Sequence, residues 1–274
     1  MSSTNSKVLR FRETVLDHYK RLGRHALPWR KHHDPYRVLV SEVMLQQTQV
    51  ERVIPYFEEW FRLFPTVETL AKAPLAKVLR AWQGLGYNRR AKHLHAAAKA
   101  VVKDHKGVFP KTPEELEALP GIGPYTARAV AAFAYNQDVV FIETNIRTVV
   151  THHFFPGAGK VDDKEIMPLL QEALPKGRAR EWYSALMDYG SHLKRSGIRI
   201  NARAKSYTKQ STFAGSSREA RGAILKALAK GPRDSAFLIE ILGPSRRTQV
   251  KSQLATLTKE GMIELAGGRF RLPR

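Results

Sequence analysis

The 274-residue chain has no cysteine. Disulfides, thiolate zinc sites and a cysteine-held iron–sulfur cluster are excluded together. Also missing is any run approaching the ~20 apolar residues that span a bilayer. The opening residues, MSSTNSKVLRFRETVL, hold no apolar stretch of secretion-signal length. These gaps predict a cytoplasmic or nucleoid-associated protein with no membrane partner. Acidic residues are scarce, 25 against 46 Lys and Arg, which leaves a net charge of +21. That imbalance points to a polyanionic partner, nucleic acid ahead of an anionic membrane, rather than to a small neutral substrate. Strand patterns are scarce too before about residue 210, which predicts an all-α fold.

What is present reads as short amphipathic helices punctuated by Pro and Gly, with Leu, Ala, Val and Phe at three- and four-residue steps. The periodicity predicts helices over 36–50, 53–64, 75–82, 89–105, 113–118, 124–135, 143–154, 164–174 and 178–193. Asp138-Val-Val-Phe-Ile-Glu143 could pass for a strand, but between two helical patterns it reads better as a buried connection. Residues 194–210 carry Lys194, Arg195, Arg199, Arg203, Lys205 and Lys209 with no acid, as a basic linker or strap would. Beyond residue 216 come helices over 218–229, 235–242 and 246–260, then two alternating segments around Gly267-Gly268, which is hairpin chemistry. Three helices and a hairpin describe a winged helix. From residue 192 on, 18 Lys and Arg stand against five Asp and Glu, so the tail holds +13 of the total charge. The expected domains are 24–137, then 1–23 with 138–193, a linker at 194–215, and a winged-helix domain at 216–274. Adjacent histidines (His32-His33, His152-His153) lack a carboxylate at i+4, so no zinc site is expected.

The most mechanical motif is Leu119-Pro120-Gly121-Ile122-Gly123-Pro124. Its glycines permit positive φ and close backbone approach, and Pro124 suits a first helical turn. Gly121 and Gly123 would then present backbone N–H groups and a positive helix end to an anion, a phosphate in so basic a chain. Taken alone, a Gly-x-Gly is more simply a tight turn between helices. The Leu-Pro before it and the Ala-rich helix after it favour phosphate binding.

That hexapeptide is the helix-hairpin-helix signature, and with it the chain resembles the endonuclease III superfamily and, inside it, the MutY adenine glycosylases. Ser41-Glu-Val-Met-Leu-Gln-Gln-Thr-Gln-Val50 matches the active-site helix motif of that family without a substitution. Leu27-Pro-Trp-Arg30, Gly84-Leu-Gly-Tyr87 and Asn145-Ile-Arg147 follow in the family's order and spacing. The resemblance covers roughly residues 10–190. It implies a monofunctional DNA glycosylase of base excision repair, acting as a monomer on double-stranded DNA with a mispair or lesion. The fold it implies is a helix-hairpin-helix core of two helical subdomains, here with a winged helix appended.

Hydrolysing an N-glycosidic bond requires a proton for the leaving base and negative charge against an oxocarbenium-like sugar, work for two carboxylates in different environments. Glu42, one residue after a potential Ser41 cap and within an apolar stretch, would read alone as a surface acid favoured by a helix start. The resemblance assigns it the proton donor to adenine. Glu143 stands where the family carries an aspartate, and would stabilise the sugar cation and orient the nucleophile. The extra methylene displaces the carboxylate by ~1.5 Å, and misplacement on that scale costs ~100-fold. A repositioned active site, an altered substrate preference and a weakened enzyme all fit. Tyr125 occupies the position of the lyase lysine in bifunctional relatives, and a phenol forms no imine, so hydrolysis without β-lyase chemistry is expected.

Excision requires base flipping, with side chains filling the gap. Gln47 and Tyr87 match the residues the family inserts into the stack, Tyr87 beside the orphaned purine. Arg30, Asn145 and Asp188 match positions near the flipped base or the catalytic carboxylate. After Gly190, where the family turns to four cysteines, this chain continues Ser191-His-Leu-Lys-Arg-Ser-Gly197. No iron–sulfur cluster is expected, and the basic strap would replace its phosphate contacts. The resemblance allows a structural monovalent cation at the hairpin. The family's domain for oxidised guanine is missing, and the helix over Arg246-Arg-Thr-Gln-Val-Lys251 would add sequence-independent DNA contacts or bind protein. Adenine opposite guanine or oxidised guanine is the expected target. A uracil or thymine mismatch glycosylase on the same fold, and a non-catalytic DNA-binding protein, are the alternatives.

Overall fold

The computed structural model describes residues 3–157, 159–198, 200, 204–205 and 212–273, with side chains from residue 6 on. Among them the chain is predominantly helical. The helices are α1 Ser3–Leu22, α2 Pro35–Leu45, α3 Val50–Leu63, α4 Val67–Lys72, α5 Leu75–Ala81, α6 Arg89–Asp104, α7 Pro113–Glu117, α8 Pro124–Tyr135, α9 Thr144–Phe154, α10 Asp163–Ala173, α11 Ala179–Arg195, α12 Ser217–Ala229, α13 Ser235–Glu240 and α14 Arg247–Lys259. One antiparallel pair follows, β1 Glu264–Ala266 with β2 Arg269–Arg271. No helix among the described residues is long and apolar enough to cross a membrane. The all-α expectation holds, and the hairpin is the one sheet among the described residues.

The chain forms two compact units. The first comprises Met1–Glu42, Phe109–Ala118 and Ile122–Lys209. Its core joins Val8, Phe11 and Val15 of α1 to Ala129 and Ala132 of α8, Ile146, Val149 and Val150 of α9, and Trp182, Ala185 and Leu186 of α11. Helix α1 was absent from the predicted helices because its sequence is mostly polar. It forms because Val8, Phe11 and Val15 recur on one helical face and bury there, with Phe11 edge-on to Trp182 at 5.7 Å between centroids. The predicted connection 138–143 is indeed irregular, and Phe141 is buried in it, stacked on Tyr183 at 4.0 Å.

The second unit comprises Val43–Val108, Leu119–Gly121 and Gln210–Arg274. Trp60 and Trp82 pack edge to face at 5.6 Å, and α4 and α5 lie against α6. Helix α4 is too short for periodicity to reveal; a reciprocal Thr66–Thr69 capping box starts it. The C-terminal residues form the expected three helices and hairpin. Ser216 and Asp234 cap α12 and α13, and Gly267 and Gly268 both take positive φ (54° and 73°) as a two-residue hairpin turn requires. Arg233 and Phe270 exchange backbone hydrogen bonds at 3.0 and 2.7 Å, adding a single bridge to the wing.

This grouping departs from the sequence-based bounds. Helices α7 and α8, assigned to 24–137, belong with α9–α11, because the alanine face of α8 supplies Ala129 and Ala132 to the first core. Of the predicted linker, 199, 201–203 and 206–211 lie outside the described residues, and its first two residues close α11.

Candidate active site

Asp34 opens α2: its side chain accepts from the Arg37 amide at 3.0 Å, with Pro35 next in the chain. Ser41 is therefore no cap. It lies inside the helix, its hydroxyl returned to the Val38 carbonyl at 2.8 Å, and Glu42 follows in the last two turns. Glu42 is 6% exposed. Burial raises its carboxyl to about 7; the hydrogen bond from Tyr125 opposes the rise, the charge of Glu143 adds to it, and Arg30 opposes it. The Tyr125 hydroxyl donates to Glu42 Oε2 at 2.7 Å. Burial, with the two carboxylates beside it, pushes that phenol well above its ordinary value. Phe141 meets the Tyr125 ring edge-on at 5.7 Å and is backed by Tyr183, so an aromatic layer holds the acid's partner in place.

Glu143 is the N-cap of α9, its carboxylate accepting from the amides of Asn145 and Ile146, the latter at 2.9 Å. Asn145 Nδ2 donates to the other oxygen at 3.3 Å. Glu143 is thus both a capping carboxylate and a member of the site, and the helix end gives its longer side chain a fixed seat. Burial raises its carboxyl, while the Ile146 amide, Lys194, the Asn145 amide and Arg147 all pull it down. Lys194 belongs to the stretch that the sequence predicts as a basic linker or strap. It sits instead on α11, part-buried, and donates from Nζ to Asn145 Oδ1 at 2.7 Å. Burial lowers the Lys194 ammonium and the Glu143 charge raises it. Gly190, one turn earlier, makes this possible: a Cβ there would lie 2.5 Å from the Asn145 carbonyl oxygen. A lysine four residues after a helical glycine was the only sequence signal for it.

Arg30 and Asp188 come together as an ion pair. Arg30 donates from both terminal nitrogens to Asp188 at 2.7 and 3.0 Å, and Arg24 adds its backbone amide and Nε, each at 2.7 Å. Asp188 is 2% exposed. Burial would raise its carboxyl, but the bonds and charge of Arg30 and Arg24 overcome that and hold it below the carboxylate range. The guanidinium of Arg30 also acts on Glu42 through its charge.

Gln47, Tyr87 and Gly121 belong to the second unit and Gly123 to the first. Gln47 and Tyr87 share a rare feature, φ of +56° and +45°, a left-handed backbone that costs of order 1–3 kcal/mol and persists only where surroundings impose it. Arg90 imposes it. Its guanidinium donates to the carbonyls of Val43 (2.7 Å), Met44 (3.0 Å) and Gln46 (2.7 Å) on one side, and of Leu85 (3.0 Å) and Gly86 (3.2 Å) on the other. It lies 5.2 Å from the Trp82 ring and 5.6 Å from the Tyr87 ring. Burial lowers it to about 10. In sequence Arg89-Arg90 looks like ordinary surface charge, and only the fold buries Arg90. In the hairpin, Gly121 takes φ +75°, and a Cβ there would strike His93 at 2.4 Å; Gly123 is the N-cap of α8 with Pro124 at its first position. Among the described residues no group of three or more His, Cys, Asp or Glu is arranged to hold a metal ion.

This geometry has relatives. Residues 40–176 match the family model described as HhH-GPD superfamily base excision DNA repair protein. An adenine DNA glycosylase of Mycolicibacterium smegmatis is 36% identical over 273 residues, covering 91% of this chain and 92% of that protein. That of Buchnera aphidicola subsp. Baizongia pistaciae is 35% identical over 182 residues, 66% of this chain, and the chain spans about half (52%) of that relative's length. Among solved structures, a thermostable thymine-DNA glycosylase superposes with TM-score 0.61 at 26% identity, covering 69% of this chain and 88% of that one.

Proposed function

The chain belongs to the HhH-GPD superfamily of base excision DNA repair proteins, and on that premise we propose that it is a monofunctional adenine DNA glycosylase, hydrolysing the N-glycosidic bond of adenine mispaired with guanine or oxidised guanine. The observation that carries this is Glu42, a buried acid near pKa 7 on a tyrosine hydroxyl. At neutral pH much of it is protonated, as a donor to the leaving base must be. Glu143, fastened by two backbone amides and Asn145, is the carboxylate that meets the positive charge developing on the sugar, with Lys194 and Arg147 favouring its ionised form. Burial raises both carboxyls, and their partners distinguish them: a phenol beside Glu42, and two backbone amides with the charges of Lys194 and Arg147 beside Glu143, so the acid role falls to the first and the electrostatic role to the second. Tyr125 has no amine to form an imine, which supports hydrolysis alone.

On this reading Gln47 and Tyr87 enter the base stack as adenine is flipped, and Gly121 and Gly123 shape the hairpin that holds a backbone phosphate. Arg30, Asp188 and Asn145 position the catalytic carboxylates rather than touching DNA. The protein acts as a monomer and without an iron–sulfur cluster. The sequence offers no cysteine, and where the α11 segment ends, Lys194 serves Asn145. A structural monovalent cation at the hairpin completes the proposal.

Cleavage of duplexes carrying A·G, A·oxidised-G, U·G, T·G and hypoxanthine pairs, with alkali added afterwards, tests the assignment. Adenine excision with strand breaks only after alkali is expected. Cleavage confined to U·G and T·G would transfer the enzyme to the mismatch class suggested by the thymine-DNA glycosylase likeness, and no cleavage of any duplex would leave a DNA-binding protein.

A further inference from the structure

Arg218, in the first turn of α12, donates from Nη1 to the hydroxyl of Tyr87 at 3.0 Å, 131 residues away in sequence. Nothing in the hydrolytic site needs this contact. It ties the first helix of the winged-helix domain to the side chain proposed to stand beside the orphaned purine. Tyr87 is 40% exposed, so the pair lies at a surface, and Phe213, just before α12, is 62% exposed.

The placement of Arg218 is built in. Ser216 caps α12, and Arg218 Nη2 reaches the Thr212 carbonyl at 3.4 Å. The domain that carries it is fastened to α5 and α6 at three further points. The Ala76 amide donates to the Pro273 carbonyl at 3.2 Å, and Arg80 Nε donates to the Ala229 carbonyl at 3.1 Å. The Glu260 carboxylate receives both Arg89 of α6 and Arg221 of α12, while Lys92 donates to its carbonyl. A two-sided carboxylate clamp inside one compact unit fixes the register of α12 against α6. Arg218 is thus presented to Tyr87 by a docked domain.

We infer that Arg218 reads the purine left unpaired when adenine is flipped, making the winged-helix domain a determinant of opposite-base specificity. The chemistry is the match of a planar guanidinium fork to the two acceptors of guanine, O6 and N7. Oxidation of guanine at C8 places a hydrogen on N7 and removes one acceptor. Arg218 therefore favours guanine over its oxidised form. This inference rests on the proposed role of Tyr87.

The test uses the full chain as wild type, Arg218→Met and Arg218→Lys. Single-turnover excision of adenine is measured opposite guanine, opposite oxidised guanine and opposite an abasic analogue that offers no base to read. Arg218→Met is expected to lose about 10–100-fold opposite guanine, less opposite oxidised guanine and nothing opposite the abasic analogue, with Arg218→Lys recovering part of the loss. An equal loss on all three duplexes would mean a phosphate contact or a structural role and would overturn the inference, as would no loss on any. Binding separates this from a failure of the glycosylase assignment: each protein is titrated with a duplex bearing an abasic analogue opposite guanine, adenine or cytosine. A guanine preference present in wild type and gone in Arg218→Met supports base reading even if no adenine is excised. Absence of any preference in wild type overturns it.

Discussion

The hydroxyl of Tyr125 and the carboxylate of Glu42 share one hydrogen bond of 2.7 Å, and the two groups act on each other in opposite directions. The phenol stabilises the ionised carboxylate and so restrains the rise that burial produces in Glu42, while the carboxylate helps to drive the phenol's own proton affinity up. The pair keeps its proton on oxygen atoms of the site and sets Glu42 close to neutral pH, where a general acid is most effective.

Excision should therefore decline as pH rises through about 7, as Glu42 loses its proton. Glu42→Gln should abolish excision yet stabilise the fold at alkaline pH. The sign follows from the raised folded-state value: the folded protein binds this proton more tightly than the unfolded chain, so stability is lost as pH climbs from about 4.5 to about 7. Removing the charge should restore roughly 2–3 kcal/mol at pH 8 and little at pH 4. Thermal melts of both proteins at the two pH values check this; a destabilised variant at pH 8 would contradict the burial assigned to Glu42.

Tyr125→Phe should move the alkaline limb of the pH–rate profile upward, because the bond that favours the carboxylate is gone and burial acts unopposed by it. Activity at pH 8 should fall less steeply with further rise in pH than in wild type. A limb at the wild-type position would show that the phenol does not set the acid.

Glu143→Gln should reduce excision to background, since the amide cannot stabilise a cationic sugar, whereas Glu143→Asp should retain it. Lys194→Met should leave cleavage measurable but slower by about 10-fold, with the low-pH limb shifted upward, because loss of the ammonium lets burial raise Glu143 further. Lys194→Arg should return the limb toward its starting point. Rate–pH profiles of the four variants distinguish this from simple unfolding, which would leave the limbs in place.

Arg90→Met should cost about 2–4 kcal/mol, because it strands the carbonyls of Val43, Met44, Gln46, Leu85 and Gly86 that the guanidinium now serves. Binding to duplex containing an abasic analogue should weaken at temperatures where the protein is still folded, since Gln47 and Tyr87 lose the frame that holds their left-handed backbones. Chemical denaturation gives the first quantity and equilibrium titration the second; unaltered binding would detach Arg90 from the two loops.

Much of the architecture was legible locally. The Leu119–Pro124 hairpin, the three C-terminal helices and the Gly267-Gly268 turn declare themselves through backbone preferences and periodicities that depend on near neighbours in sequence. Helix α1 was not legible, because its stability comes from burying Val8, Phe11 and Val15 against α10 and α11 and not from its own polar sequence.

The active-site helix motif, the Glu143 position and the tyrosine at 125 were readable as types of residue at particular spacings, and sequence alone determined that two glutamates, no lyase lysine and no cysteine are what this chain has for its chemistry. What those residues are electrically was decided by tertiary structure. A carboxyl group's proton affinity depends on the solvent it loses and the charges brought near it from distant parts of the chain. Burial of Glu42 beside Tyr125, the approach of Lys194 to Asn145 allowed by Gly190, and the reach of Arg90 back to the carbonyls of Val43, Met44 and Gln46 all join residues more than 40 positions apart, a relation that no local pattern carries.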